Sequence, residues 1–138
     1  MIILDTNVIS EFTRRQPSGR AEDWFRRQDI DDLATTAVAE GELYAGVEAM
    51  PDGRRKLETA RAYDVILGNL GGRIHVFDSA AARAFASLAA QRRRTGLMVD
   101  TADCQIAAIA RVLGASIATR NIADFAHTGV TVINPWTA

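Results

Sequence analysis

Short apolar runs that alternate with helix-length segments constrain this chain more than any other feature. The first run, Met1-Ile2-Ile3-Leu4, has no polar face. Such a run reads as a strand covered on both sides, as in the middle of a parallel sheet. Further strands are expected over residues 33–35, 73–77, 115–119 and 130–133. Helices are expected over residues 8–13, 20–28, 37–50, 54–70, 80–94 and 99–113. Breaks at Gln16-Pro17-Ser18-Gly19, Pro51-Asp52-Gly53, Gly71-Gly72, Gly96 and Gly114 separate them. The intervening segments are long enough to carry one parallel strand over to the next. The expected fold class is therefore α/β: a parallel sheet of about five strands flanked by helices on both faces. With 138 residues, the expectation is one domain spanning 1–138.

Composition narrows the function classes. Apolar residues make up 48% of the chain and charged ones 24%, which suits a packed core. Sixteen basic residues nearly balance seventeen acidic ones, so overall charge does not point to nucleic acid. Every basic residue except Lys56 is Arg, the side chain suited to bidentate phosphate contacts, although a GC-rich coding sequence gives the same bias. Cys104 is the single cysteine and reads as a small packed hydrophobe, so neither a disulfide nor a thiolate metal site is expected. His75 and His127 lack metal-ligand spacing. The apolar start is too short for a signal peptide, and no apolar run approaches the length of a membrane span. A cytoplasmic protein without membrane contact is expected.

The chemistry lies in where the acids fall. Asp5 follows the first strand, and Glu40 and Glu42 lie in the helix after the second. Asp103 lies in the first turn of the helix before the fourth strand, and Asn121 and Asp124 follow that strand. A parallel sheet gathers the carboxyl ends of strands one and four on one edge, where open α/β sheets bind ligands. Each acid also has a purely structural use. Asp5 could help start the helix after it, for which Thr6 or Asn7 is the expected cap. Asp100 fits a helix cap, and Asp103 the third helical position. Glu40 and Glu42 both border the apolar face of their helix, and the helical wheel does not choose between them. Asp124 could be a turn residue. Several carboxylates converging on one lip repel each other, and a hard divalent cation compensates that repulsion. Such an ion activates water and stabilises phosphoryl displacement. Arg92-Arg93-Arg94 are read as cations complementing a helix C-terminus, with an RNA or partner contact as the other use.

Four blocks of sequence are together distinctive: Leu4-Asp5-Thr6-Asn7-Val8-Ile9-Ser10-Glu11; Glu42-Leu43-Tyr44-Ala45-Gly46; Asp103-Cys104-Gln105-Ile106-Ala107-Ala108; and Ala118-Thr119-Arg120-Asn121-Ile122-Ala123-Asp124-Phe125. In order and spacing they resemble the PIN-domain ribonucleases, and among these the VapC/FitB type of toxin–antitoxin toxin. The closing Asn134-Pro135-Trp136 is similar to the FitB branch. The resemblance implies Asp5, Glu42 and Asp103 as core acids and selects Glu42 over Glu40. It implies Asp5 and Asp103 as the most direct metal ligands. The family's fourth acid follows strand four; some relatives carry it where this chain has Asn121, which leaves Asp124. The resemblance further implies an endoribonuclease dependent on Mg²⁺, with Mn²⁺ able to substitute, that inhibits translation by cutting RNA. It implies a homodimer and a cognate VapB/FitA-like antitoxin, through which promoter DNA is bound.

Three other families or functions share parts of this pattern. A HAD-type phosphatase needs a second Asp where this chain has Asn7, and a receiver domain needs a lysine at the end of its last strand, whereas Lys56 lies mid-chain. The remaining alternative is a PIN fold that has lost catalysis and binds RNA or protein.

Overall fold

The computed structural model describes residues 1–138. The elements run β1 (Ile2–Leu4), α1 (Thr6–Glu11), α2 (Gly19–Arg26), β2 (Leu33–Thr36), α3 (Ala37–Glu48), α4 (Arg54–Asn69), β3 (Ile74–His75), α5 (Ser79–Arg94), α6 (Thr101–Leu113), β4 (Ser116–Ala118) and β5 (Val132–Ile133). The five strands form one sheet in the order β3-β2-β1-β4-β5. Every neighbouring pair is parallel, with Ile3 beside Ala34 on one side and Ile117 on the other. The α/β architecture with helices on both faces is as expected from the alternation of runs.

β1 shows why its sequence has no polar face. Successive strand residues point to opposite sides. Ile3 packs with Leu88, Ile106, Ile109, Ile117 and Phe125 on one face. Leu4 packs with Val8, Ile9, Trp24, Leu33, Leu43 and Leu67 on the other. Both Ile3 and Leu4 are fully buried. α5 and α6 cover the first face; α1, α2 and α4 cover the second, and α3 contributes Ala39 to one and Leu43 to the other.

Helix ends follow local chemistry. Thr36, Asp78 and Asp100 cap α3, α5 and α6, each side chain accepting an N–H three residues on. Gly114, at φ +63°, closes α6 in the left-handed conformation. α1 departs from expectation. Asp5 itself is its cap, accepting the Thr6 N–H at 2.8 Å, and the helix starts two residues earlier than its apolar pattern suggests.

Other departures concern which way a helix faces. The sequence predicts Leu57, Ala60, Ala62, Val65 and Ile66 as the packing residues of α4, but Leu57 and Val65 are 59% and 62% exposed, while Thr59, Tyr63 and Leu67 are buried. The stripe i, i+4, i+8 through Tyr63 docks on α3, where Tyr63 meets Tyr44 edge to face at 6.2 Å. Gly46 on α3 and Leu113 on α6 are likewise exposed. β1, β3, β4 and β5 are shorter than their apolar runs, because a neighbour's backbone accompanies each for only two or three residues, whereas β2 runs one residue further than expected, to Thr36. Arg92, expected as a cation complementing the helix C-terminus, is only 6% exposed. Its Nε donates to the Met98 carbonyl at 2.9 Å and its Nη1 to the Ala126 carbonyl at 2.8 Å.

Candidate active site

The carboxyl edge of the sheet carries the acids. β1 ends at Leu4 and delivers Asp5, which is 3% exposed. Its Oδ1 accepts the Thr6 N–H, and its Oδ2 accepts the Thr119 hydroxyl at 2.7 Å and the Asn7 amide at 3.2 Å. Asn7 also donates to the Thr119 hydroxyl oxygen at 3.2 Å and accepts the Arg120 N–H at 3.1 Å. Asp5 is thus fixed from both central strands. Burial pushes its carboxyl up; the hydrogen bonds from Thr119 and Thr6 pull it down, and the Asp124 charge adds to the rise.

Glu42 lies in the second turn of α3, on the side turned toward α1. Its Oε1 accepts the Thr6 hydroxyl at 3.2 Å. Partial burial raises its carboxyl, and the charges of Asp5 and Asp100 raise it further. Glu40 belongs to another neighbourhood. Its charge bears on Tyr44, whose hydroxyl is bonded to Asp64 on α4. The bond to Thr6, absent from any helical wheel, separates the two glutamates.

Asp103 sits in the first turn of α6, half-buried. Its N–H is taken by the cap Asp100, and its own carboxyl accepts no hydrogen bond within the chain. Its pKa is pushed up to about 7, first by desolvation and then by the charges of Asp100, Asp5, Asp124 and Glu42. Asp124, which could be a turn residue by sequence, lies in a single 3-10 turn, Ile122–Phe125, and that turn packs on α6. Its exposed carboxylate bears on both Asp5 and Asp103, so this segment presents an acid to the lip at Asp124. Asn121 heads the same turn, its N–H on the Thr119 hydroxyl oxygen at 3.0 Å.

Five acids from four segments therefore bear on one lip, and none of Asp5, Glu42, Asp100, Asp103 or Asp124 is ion-paired: the chain's salt bridges join Arg14–Glu11, Arg26–Glu22, Lys56–Asp52 and Arg73–Asp31. No three of their side chains close on one ion-sized point. Only oxygen donors face the lip, which fits a hard divalent cation that keeps part of its water shell. The fold's one cavity lies elsewhere, beside His75, Val76, Asp78 and Leu113. The acids lie on an open edge, reachable by a chain-like substrate.

Sequence reasoning missed three supports. Thr119 and Asn7 hold Asp5, and Asp100, read only as a cap, also loads Asp103 and Glu42 electrostatically. The signal for Thr119 was available: it is the first polar residue after the buried run Ile117–Ala118, so it shares the lip with Asp5.

Comparison with known proteins agrees with this arrangement. The PIN domain family matches residues 2–130. VapC ribonuclease Y4jK of Sinorhizobium fredii is 39% identical over 137 residues, covering 99% of this chain and 98% of its own. Toxin FitB of Neisseria gonorrhoeae is 36% identical over 137 residues and 99% of each chain. The structure of FitAB bound to an IR36 DNA fragment superposes with a TM-score of 0.92 at 35% identity, covering 99% of this chain and 96% of that one. No helix here is long and apolar enough to cross a membrane. With the fold and the full-length similarity in agreement, the chain belongs to the PIN-domain family, in its VapC/FitB branch.

Proposed function

We propose that the chain, acting as one PIN domain over residues 1–138, is the toxin of a toxin–antitoxin pair and a Mg²⁺-dependent endoribonuclease. The observation that carries this reading is the unpaired carboxylate group at the lip, with Asp103 pushed up to about 7. Like charges held together without a counter-ion are costly, and a site that binds a cation is where a fold retains them. In this reading Asp5 and Asp103 hold the ion, Mg²⁺ or its substitute Mn²⁺, and Glu42 and Asp124 act on its water shell. Bound there, the ion would lower the pKa of water and stabilise charge on the phosphate oxygens. Asp5 is kept rigid by Thr119, Asn7 and Thr6, so one ligand needs no reorganisation. Burial and the neighbouring acids push the Asp103 carboxyl up to about 7, and a bound cation would hold it as a carboxylate. Glu42 and Asp124 would orient the attacking water and take up its proton.

The similarity to FitB and to the DNA-bound FitAB structure supports the rest of the proposal. A FitA/VapB-like antitoxin binds the chain, promoter DNA is contacted through that antitoxin, and the toxin works as a cytoplasmic homodimer. Single-turnover cleavage of RNA by purified protein tests the activity. Cleavage is expected with Mg²⁺ or Mn²⁺, none in excess EDTA, and none for Asp5→Asn or Asp103→Asn. Undiminished cleavage in EDTA refutes the metal role. RNA binding without cleavage in any metal identifies a binding module instead.

A further inference from the structure

Arg120 follows Thr119 directly, at the lip, and its side chain is exposed. Its N–H is held by Asn7 Oδ1, and Asn7 in turn donates to Asp5 Oδ2, so its backbone is two hydrogen bonds from that carboxylate. Its guanidinium lies over the ring of Trp136, 5.3 Å from the centroid. Trp136 follows β5, which runs parallel to β4 and ends on the same edge of the sheet. The ring packs against the cluster containing Leu4 and Val8, and the backbone N–H of Trp136 donates to Asn134 Oδ1 at 3.0 Å.

The guanidinium makes no hydrogen bond and no ion pair within the chain. The backbone of Arg120 is tied to the Asp5 network and Arg120 shares its loop with Asp124, yet its guanidinium pairs with neither acid. Stacking on a packed indole favours a position away from the acids and leaves the guanidinium edge free. A free, flat guanidinium on the sheet edge that carries unneutralised carboxylates suits a substrate whose phosphates the acids themselves repel.

Resting on the ribonuclease reading above, we propose that Arg120, seated on Trp136, binds an RNA backbone phosphate next to the one that is cut. The pair is a substrate-binding element: Arg120 makes the contact and Trp136 is its positioning residue. The acids act on the scissile phosphate while Arg120 draws the strand onto the lip.

Cleavage kinetics in Mg²⁺ across a KCl series, joined to fluorescence anisotropy of a labelled single-stranded RNA on the Asp103→Asn background, test this. For single strands each phosphate contact adds about 0.7 to the slope of log affinity against log salt. Arg120→Met is expected to weaken RNA binding about tenfold, to raise KM accordingly, and to flatten the salt slope by about 0.7. Arg120→Lys should keep the slope but not the full affinity. Trp136→Leu should reproduce the flattened slope, because the freed guanidinium pairs with a lip carboxylate, and Trp136→Phe should restore it. Thermal melts of Arg120→Met should match wild type. Unchanged RNA affinity and slope in Arg120→Met, with wild type binding and cleaving RNA, overturn the inference. Loss of antitoxin affinity with unchanged RNA kinetics assigns the pair to a protein partner and overturns it too. A wild type that neither binds nor cuts RNA refutes the ribonuclease reading itself.

Discussion

Asp103→Asn should stabilise the metal-free protein while removing its activity. The carboxyl of Asp103 rises from an ordinary 3.8 to about 7. A gap of about three units corresponds nominally to ~4 kcal/mol lost at neutral pH, at 1.36 kcal/mol per unit. The side chain is only half-buried, and solvent screening brings that down to roughly 1–2 kcal/mol. Asparagine keeps the shape and forfeits no hydrogen bond, since the contact with Asp100 uses the backbone N–H of residue 103. What it gives up is an acid in the first turn of α6, worth about 0.3–1 kcal/mol. The net gain for the metal-free variant is on the order of 1 kcal/mol, or about 3–5 °C in Tm for a chain of this size. The sign fixes the pH dependence. A raised folded-state pKa means the folded protein binds the proton more tightly than the unfolded chain. The wild-type penalty is therefore absent below about pH 4, grows between pH 4 and 7, and is constant above. Mg²⁺ should reverse the order, stabilising wild type by about 2.7 kcal/mol at a hundredfold excess over Kd and the variant much less. The assay is thermal unfolding in EDTA and in Mg²⁺ at pH 4.5, 6 and 8. A metal-free variant that melts at or below wild type at pH 8, or a difference that ignores pH, refutes the electrostatic account.

Asp5→Asn should gain less. Its amide nitrogen would face either the Thr6 N–H or the two donors Asn7 Nδ2 and Thr119 Oγ1, losing at least one of the three hydrogen bonds that Asp5 accepts, so in EDTA it should melt below Asp103→Asn; equal Tm values would contradict this. Arg92→Met should cost about 2–4 kcal/mol in urea unfolding, because two loop carbonyls lose a buried charged donor; a loss under ~0.5 kcal/mol would mean that water replaces it. Gly114→Ala should cost about 1 kcal/mol, from its φ of +63° alone, since the space for a Cβ is open; a neutral result in the same unfolding assay would show that the α6 terminus relaxes.

Much of this was legible in the residues. The wholly apolar run at β1 requires cover on both faces, and only a central strand receives it. Asp78, Asp100, Thr36 and Gly114 mark helix ends through chemistry confined to one turn, which needs no distant partner. The positions of Asp5 and Asp103 relative to β1 and α6 follow from the same local logic.

The order of elements, their type and the edge on which the acids gather thus follow from local patterns in the chain. Which acids see one another depends on contacts between remote segments. Glu42 is separated from Glu40 by a hydroxyl 36 residues away, on Thr6. Asp5 is held by Thr119, 114 residues on. Arg92 becomes a buried brace because two loops, ending at Met98 and Ala126, arrive with free carbonyls. α4 turns Tyr63 inward and Leu57 outward because Tyr44 waits on α3. The physical reason is common to all four. Helical periodicity sets how far apart the residues of a face lie, but the direction a face takes depends on what docks against it, and that partner is remote in the chain.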